Sequence, residues 1–374
     1  MKKGMTYSGV GVNYDAMDPF KRAAQKAGLA TSENILRLNM MEFEASRGES
    51  AYLIERSDCF LAHVEEGLGT KNLVAEIMYK LTGQLFFGNV AQCTVAMIVN
   101  DMITLGALPI SLAMHLAVGS SKWFDDKERA EDLVAGWKKA CDLARCAWGG
   151  GETPTLRDIV GPETVVLSGS AIGIIEPKSR LIRGNIQDGD AIIIFLSSGI
   201  HANGLTLARE IASKLPRGYL TLLEGPGGGH LPLTYGEVLL KPTTIYVPVI
   251  EDCLDAGIDI HYAVNITGHG WRKLMRHTDP FVYIVEEIPT PQPIFRFMQE
   301  HGPVSDEEAY GNLNMGAGFA LYVSEKDVKR VMQISEQNQI PAMVAGHIEK
   351  KGNQKKVIIK PKNITFAART LKVR

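Results

Sequence analysis

A two-unit α/β protein is what this sequence predicts, and three observations carry the prediction. The chain has 374 residues, beyond the roughly 250–300 at which a single core stops growing. Short apolar runs alternate with helical periodicities along most of its length, the order expected of layered α/β or α+β domains. One polar, turn-rich segment, Glu176–Asp190, ends in Asp188-Gly189-Asp190 and divides the pattern into units 1–180 and 181–374.

The elements follow in order. An arm over Thr6–Asp15 leads to a helix around Pro19–Ala27, then to strands at Ser50–Ile54 and Cys59–Val64. A helix starts near Asn72, a second spans about Val90–Thr104, and a strand covers Pro109–Val118. A long helix over Asp126–Ala147 precedes a strand at Thr164–Ile175. Beyond the boundary, Ala191–Leu196 is apolar, isoleucine-rich and too short for a typical helix, so it reads as a buried strand. Leu205, Ala208, Ile211, Ala212 and Leu215 then recur at helical spacing. A Gly-rich excursion at Gly225–Gly229, a helix near Pro242–Ala256, a loop at Thr267–Gly270 and a strand at Phe281–Val285 come next. A helix near Pro293–Glu300, a strand at Gly318–Val323, a helix near Glu325–Gln337 and a last hairpin complete the chain.

Composition narrows the class. Apolar content of 45% and charged content of 22% describe an ordinary globular protein. A net charge of −2 offers no electrostatic footprint for nucleic acid. Met1–Tyr7 lacks an apolar signal-peptide core, and no run approaches the ~18 apolar residues of a membrane span. Five cysteines (59, 93, 141, 146 and 253) are scattered without a Cys-x-x-Cys pair. They read as reduced core thiols of a cytoplasmic protein, not as a disulfide frame or a zinc site.

The chemistry concentrates in glycine-punctuated loops at element ends. Ser197-Ser198-Gly199-Ile200-His201-Ala202-Asn203-Gly204 lies between strand and helix, where first-turn N–H groups suit an anion. His201 is its one side chain able to exchange a proton near pH 7. Glu65-Glu66-Gly67-Leu68-Gly69-Thr70-Lys71 leaves a strand and enters a helix. Its glycines let backbone approach a phosphate, Lys71 supplies a point charge and the carboxylates suit Mg²⁺, although the Walker A spacing is absent. Asn100 and Asp101 interrupt an otherwise apolar helix, where a buried carboxylate must find a partner. Gly149-Gly150-Gly151-Glu152-Thr153 reads as a helix C-cap extended into a second Mg²⁺ carboxylate. Asn265–Gly270 and Asn312–Gly318 are further loops of this kind. With no catalytic cysteine and no Gly-x-Ser-x-Gly elbow, the inventory suits magnesium-nucleotide chemistry.

The order of these motifs resembles the aminoimidazole ribonucleotide synthetase (phosphoribosylformylglycinamidine cyclo-ligase) family from Tyr7 to about Ile348. The resemblance is carried by Gly11-Val12-Asn13-Tyr14-Asp15-Ala16, Gly67–Lys71, Val99-Asn100-Asp101 with Gly106-Ala107, and Gly150–Thr153. It continues through Ser197–Gly204, Leu239–Tyr246, Thr267-Gly268 with Gly270, and Asn314-Met315-Gly316 with Gly318. It implies a homodimer whose N-terminal domains share a β-barrel, a C-terminal α/β sandwich domain, and ATP-dependent closure of an imidazole ring on a ribonucleotide substrate. Residue by residue, it implies Mg²⁺ on Glu66, Asp101 and Glu152, and ATP on Gly67, Gly69, Thr70, Lys71, Asn100, Gly150, Gly151 and Thr153. His201 would shuttle a proton or stabilise developing charge, with Asn203 and Asp101 as further catalytic groups. Ser197, Ser198, Gly199, Gly204, Thr267, Gly268, Asn314 and Gly316 would position the ribonucleotide.

The chain departs from the family pattern at four places. Glu66 stands where the family has aspartate, Met114 replaces another aspartate, and His269 interrupts a glycine run. Glu33–Gly48 runs through Met40, Met41 and Phe43 in place of a glycine-rich nucleotide flap. Two other readings therefore stand beside the cyclo-ligase: another Mg-ATP enzyme of the superfamily, such as a thiamine-phosphate kinase, and a non-catalytic nucleotide-binding dimer.

Overall fold

The computed structural model describes residues 4–11, 13–224 and 230–371. The expected Gly225–Gly229 excursion and Val12 of the N-terminal motif lie outside them. The first sheet is built from β1 (Met41–Glu42), β2 (Tyr52–Glu55), β3 (Phe60–Gly67), β4 (Leu108–Val118), β5 (Ala147–Glu152) and β6 (Val165–Ile175). Its order is β1-β2-β3-β6-β4-β5, antiparallel throughout except for the parallel β4–β5 pair. Around it run α2 (Lys71–Thr82), α3 (Phe87–Met102) and α4 (Lys127–Leu143), while α1 (Tyr14–Leu29) precedes the sheet and is largely exposed. The sheet ends at β1 and β5, so no closed barrel forms among the described residues of one chain.

The second sheet contains β7 (Ala191–Leu196), β10 (Ile260–Asn265), β11 (Val282–Val285), β12 (Ala317–Val323), β13 (Ala342–Glu349), β14 (Lys356–Ile359) and β15 (Ile364–Ala367). β8 (Leu222–Glu224) and β9 (His230–Thr234) form a separate pair. The order β10-β12-β7-β13-β11-β14-β15 puts β7 between two neighbours, which is why Ile192–Phe195 are wholly buried. Among the described residues six helices accompany this sheet: α5 (Leu205–Lys214), α6 (Tyr235–Leu239), α7 (Val247–Asp255), α8 (Pro293–His301), α9 (Asp306–Asn312) and α10 (Glu325–Gln337). The expected final hairpin is β14–β15, antiparallel from Lys356↔Ala367 to Ile359↔Ile364.

α3 joins the two sheets. It is buried nearly all round, Asn100 and Asp101 included, because one side packs on β3 and β6 and another meets α4 and β10. Its polar side chains grip residues 240–246, a segment expected to open a helix at Pro242. Asn89 Nδ2 donates to Leu240 O (3.1 Å), Gln92 Nε2 to Thr243 O (3.0 Å) and Asn100 Nδ2 to Thr244 O (2.9 Å). Tyr246 N donates to Asn100 Oδ1 (3.0 Å). With several of its backbone groups satisfied from α3, the segment forms no helix and the next helix starts at Val247.

Two further boundaries moved. The long helix ends at Leu143, where Arg145 takes a positive φ of 53° and Cys146 N returns to Cys141 O (3.0 Å). The glycines expected to cap it belong to β5, which pairs with β4 through Met114↔Gly151 and His115↔Glu152.

Candidate functional site

The loop after β7 is cross-bonded to the loop before β12. Ser197 N donates to Gly316 O (2.8 Å), and Ser197 Oγ donates to Asn314 Oδ1 (3.0 Å). Asn314 Nδ2 donates to Gly199 O (2.9 Å), while Gly316 N donates to Asn314 Oδ1 (3.0 Å). Ser198 Oγ donates to Pro242 O (2.6 Å), and Trp271 Nε1 to Asn314 O (2.8 Å). Loops 197–204, 267–275 and 312–318 thus converge where the sequence reading put its substrate-positioning residues. Gly204 has φ 91°, and a Cβ there would stand 2.5 Å from Leu313 Cδ2, so both conformation and space require glycine.

His201 is the keystone of this loop, and its burial bears on which of its two expected roles it can take. It occupies the left-handed region at φ 60°, is 3% exposed, and accepts Ser198 N–H on Nε2 (3.1 Å). Burial, then the Lys71 charge, pull its pKa down to about 3. The ring is therefore neutral at pH 7, with Nδ1 carrying the proton and Nε2 in use. It can donate to developing negative charge, but it is not poised to shuttle a proton near neutrality. Asn203 is half-buried beside it, Nδ2 lying 4.0 Å from Met97 Sδ.

A second cluster joins the end of α3 to the second sheet. Asn265 Nδ2 donates to Asp101 Oδ1 (2.7 Å). Lys273, 8% exposed, donates to Asn265 O (3.3 Å) and to Thr267 Oγ1. Burial pulls the Lys273 pKa down to about 8 against the opposing pull of Asp101 and Glu66. Burial and the Asp101 charge push Glu66 up to about 7, with Lys273 and Arg276 holding it lower than it would otherwise be. Arg276 itself pairs with Glu49 (3.4 Å) and donates to Ser50 Oγ and Gly48 O. Glu65 is exposed, since strand neighbours point to opposite faces.

Several expected ligands are used differently. Lys71 is not displayed to a phosphate: wholly buried, its ammonium donates to His201 O (2.8 Å) and Lys241 O (2.7 Å). Asn100 spends both ends of its carboxamide on Thr244 and Tyr246 and offers neither to a nucleotide. Gly150, Gly151 and Glu152 on the edge strand and Thr153 just after it are all exposed, lining a depression of about 420 Å³ with Met114 and Trp148. Glu66, Gly169, Met114 and Gly151 share one cross-strand row. β5 is therefore three strand spacings from β3, about 14 Å. Glu152 does not join Glu66 and Asp101, and among the described residues no three His, Cys, Asp or Glu side chains could hold a metal. The three-carboxylate magnesium set does not fit.

The Gly67–Thr70 turn fits an anion better. Gly67 and Gly69 are exposed, and Gly69 has φ 73° with open space where a Cβ would point. Thr70 Oγ1, at the N-cap of α2, is buried without a hydrogen-bond partner. An orphaned hydroxyl at a helix N-terminus is a natural donor to phosphate oxygen.

Lys273 and Asn265 were missed as site residues. The signal was present: Lys273 sits among Trp271, Leu274 and Met275, all wholly buried, where a lysine needs a charged partner.

Residues 53–175 match the AIR synthase related protein N-terminal domain, and residues 187–359 match the corresponding C-terminal domain. The phosphoribosylformylglycinamidine cyclo-ligase of Methanocaldococcus jannaschii is 37% identical over 297 residues, covering 79% of this chain and 80% of the relative. That of Methanococcus maripaludis is 33% identical over 347 residues, 92% of each. The solved structure of AaThiL complexed with AMPPCP and TMP superposes with a TM-score of 0.54 at 14% identity, over 84% of this chain and 88% of that one. Identity that low speaks to the fold alone.

Proposed function

The chain belongs to the AIR synthase related family across both of its sheets, and on that premise we propose that it closes the imidazole ring of aminoimidazole ribonucleotide from formylglycinamidine ribonucleotide, using ATP. Phosphoryl transfer to the formamide oxygen makes that oxygen a leaving group. The amidine nitrogen then attacks the same carbon, the C–O bond breaks, and phosphate departs with ADP as the second product.

The supporting observation is the Ser197–Gly204 and Asn314–Gly316 pair of loops, held together by hydrogen bonds through the Asn314 side chain. Preorganised donors lower a barrier because they need no reorganisation during reaction. His201 Nδ1–H stabilises charge on the reacting oxygen or phosphate, Asn203 reaches the ribonucleotide, and Gly67, Gly69 and Thr70 cradle the ATP phosphates. Asp101 acts through Asn265.

The reading sets the unit boundary at 181, and the absence of strands between β6 and β7 among the described residues supports it. A homodimer is part of the same reading: Val166 (49% exposed) and Ile172 (54% exposed) lie on the outer face of the first sheet, an apolar surface that a second copy would cover. Free thiols at all five cysteines suit the cytoplasm, and no helix among the described residues is long and apolar enough to cross a membrane.

The test is turnover of formylglycinamidine ribonucleotide with Mg-ATP, following the imidazole product and ADP together. Equal release of both is the expected outcome. ADP without imidazole would transfer the chain to another phosphoryl acceptor of the superfamily, and neither product from a folded, nucleotide-binding protein would leave a binding dimer.

A further inference from the structure

Two of the five thiols are neighbours across the turn that ends α4. Cys146 N donates to Cys141 O (3.0 Å), Arg145 N donates to Asp142 O (3.1 Å), and Arg145 between them takes a left-handed φ of 53°. Two such bonds around a left-handed residue make a Schellman motif, which sets the side chain two positions before the last helical residue against the one just past the turn. Both of those positions are cysteine here. Cys146 Sγ lies 3.8 Å from Cys141 O, and the thiols also hydrogen-bond to one another, which lowers the Cys141 pKa and raises that of Cys146. Cys141 is buried and Cys146 half-buried, so the pair is reached from the Cys146 side. A disulfide requires two side chains directed at each other from backbones already close together, and this turn supplies both. The cyclisation uses neither thiol.

We propose that Cys141 and Cys146 form a reversible oxidation site, at which a hydroperoxide converts the two thiols into a disulfide that closes the turn between α4 and β5. The Cys141 sulfur attacks the peroxide, the O–O bond breaks, and the first water leaves with the Cys141 proton, giving a sulfenic acid. The Cys146 sulfur then displaces that oxygen: the S–O bond breaks, the S–S bond forms, and a second water carries off the Cys146 proton. Sulfur loses two electrons and the peroxide gains them. Arg145, between the two cysteines, donates to Glu251 Oε2 (2.7 Å) and Asp252 Oδ1 (2.9 Å) on α7. The bond therefore forms across the turn that bridges the first sheet's unit to the second by charge. The inference is independent of the cyclo-ligase reading and is tested without turnover.

The experiment treats the full, folded chain with hydrogen peroxide, blocks the remaining thiols, and maps tryptic peptides by mass. Trypsin cuts after Lys139, Arg145 and Arg157, so the disulfide appears as peptide 140–145 linked to peptide 146–157. The expected result is that linked pair from a chain still monomeric on a non-reducing gel, with two of the five thiols lost and both restored by dithiothreitol. Five free thiols, a link between other cysteines or between chains, or oxidation that dithiothreitol does not reverse overturns the proposal. Equilibration with reduced and oxidised glutathione then measures the effective concentration of one thiol at the other. It should be at least about tenfold higher in the folded chain than in guanidinium, because the turn holds the sulfurs together beforehand. Equal values in the two states would mean that the fold has built no site, and would end the proposal.

Discussion

The His201 loop and the Gly149–Thr153 strand look alike in sequence, both glycine-rich with one ionisable side chain, yet they fold into opposites. The first is buried and tied to another loop by two bonds through the Asn314 carboxamide, which also braces Gly316 N–H within its own loop. The second is an exposed sheet edge whose glycines let β5 pass close to β4: a Cβ on Gly151 would lie 2.2 Å from Met114 O. Glycine marks close backbone approach in each case, but only where polar side chains close the space does the loop become a preorganised site.

The contrast can be broken most severely at Asn314. Asn314→Ala strands the Ser197 hydroxyl, Gly316 N–H and Gly199 carbonyl, and should cost about 3 kcal/mol in denaturant unfolding together with most turnover. Unchanged stability would mean that the loops are not held through this side chain.

Acid titration sharpens it next. His201 titrates near 3 when folded and near 6.5 when unfolded, so the unfolded chain binds more protons between those values. The stabilisation is complete above pH 6.5 and lost as pH falls toward 3, by about 2 kcal/mol at pH 5. His269, also held near 3 by burial first and then neighbouring cations, adds a loss of the same sign. Asparagine tolerates the left-handed backbone and offers an acceptor to Ser198 N–H. His201→Asn should therefore flatten the fall in melting temperature between pH 7 and 5, and an unchanged slope would assign the acid sensitivity elsewhere.

The smallest effect belongs to the edge strand. Glu152→Gln should leave the unfolding midpoint unchanged, as expected of an exposed side chain without a structural partner. A clear shift would place Glu152 in a contact that the single chain does not contain.

Most of the architecture was legible because it is local. The apolar run Ala191–Leu196 and the helical spacing after it predict the strand, loop and helix that form. Residues 240–246 were misread because their hydrogen-bond partners lie some 150 positions away on α3. The glycines at 149–151 were misread because a helix cap and an edge strand accept the same residues, and β4, which decides between them, leaves no mark beside them.

What the sequence determined by itself was the class of protein, the order of its elements and the loops at which polar groups gather. Periodicity and turn chemistry act between residues a few positions apart, so they can be read along the chain. What tertiary structure decided was the use of each charge. Lys71 looked like a phosphate ligand and became a clamp on two carbonyls, while Lys273, passed over in the sequence, was buried against the Asn265 carbonyl and the Thr267 hydroxyl. A buried charge takes its role from whichever groups fold over it, because desolvation makes every remaining partner count.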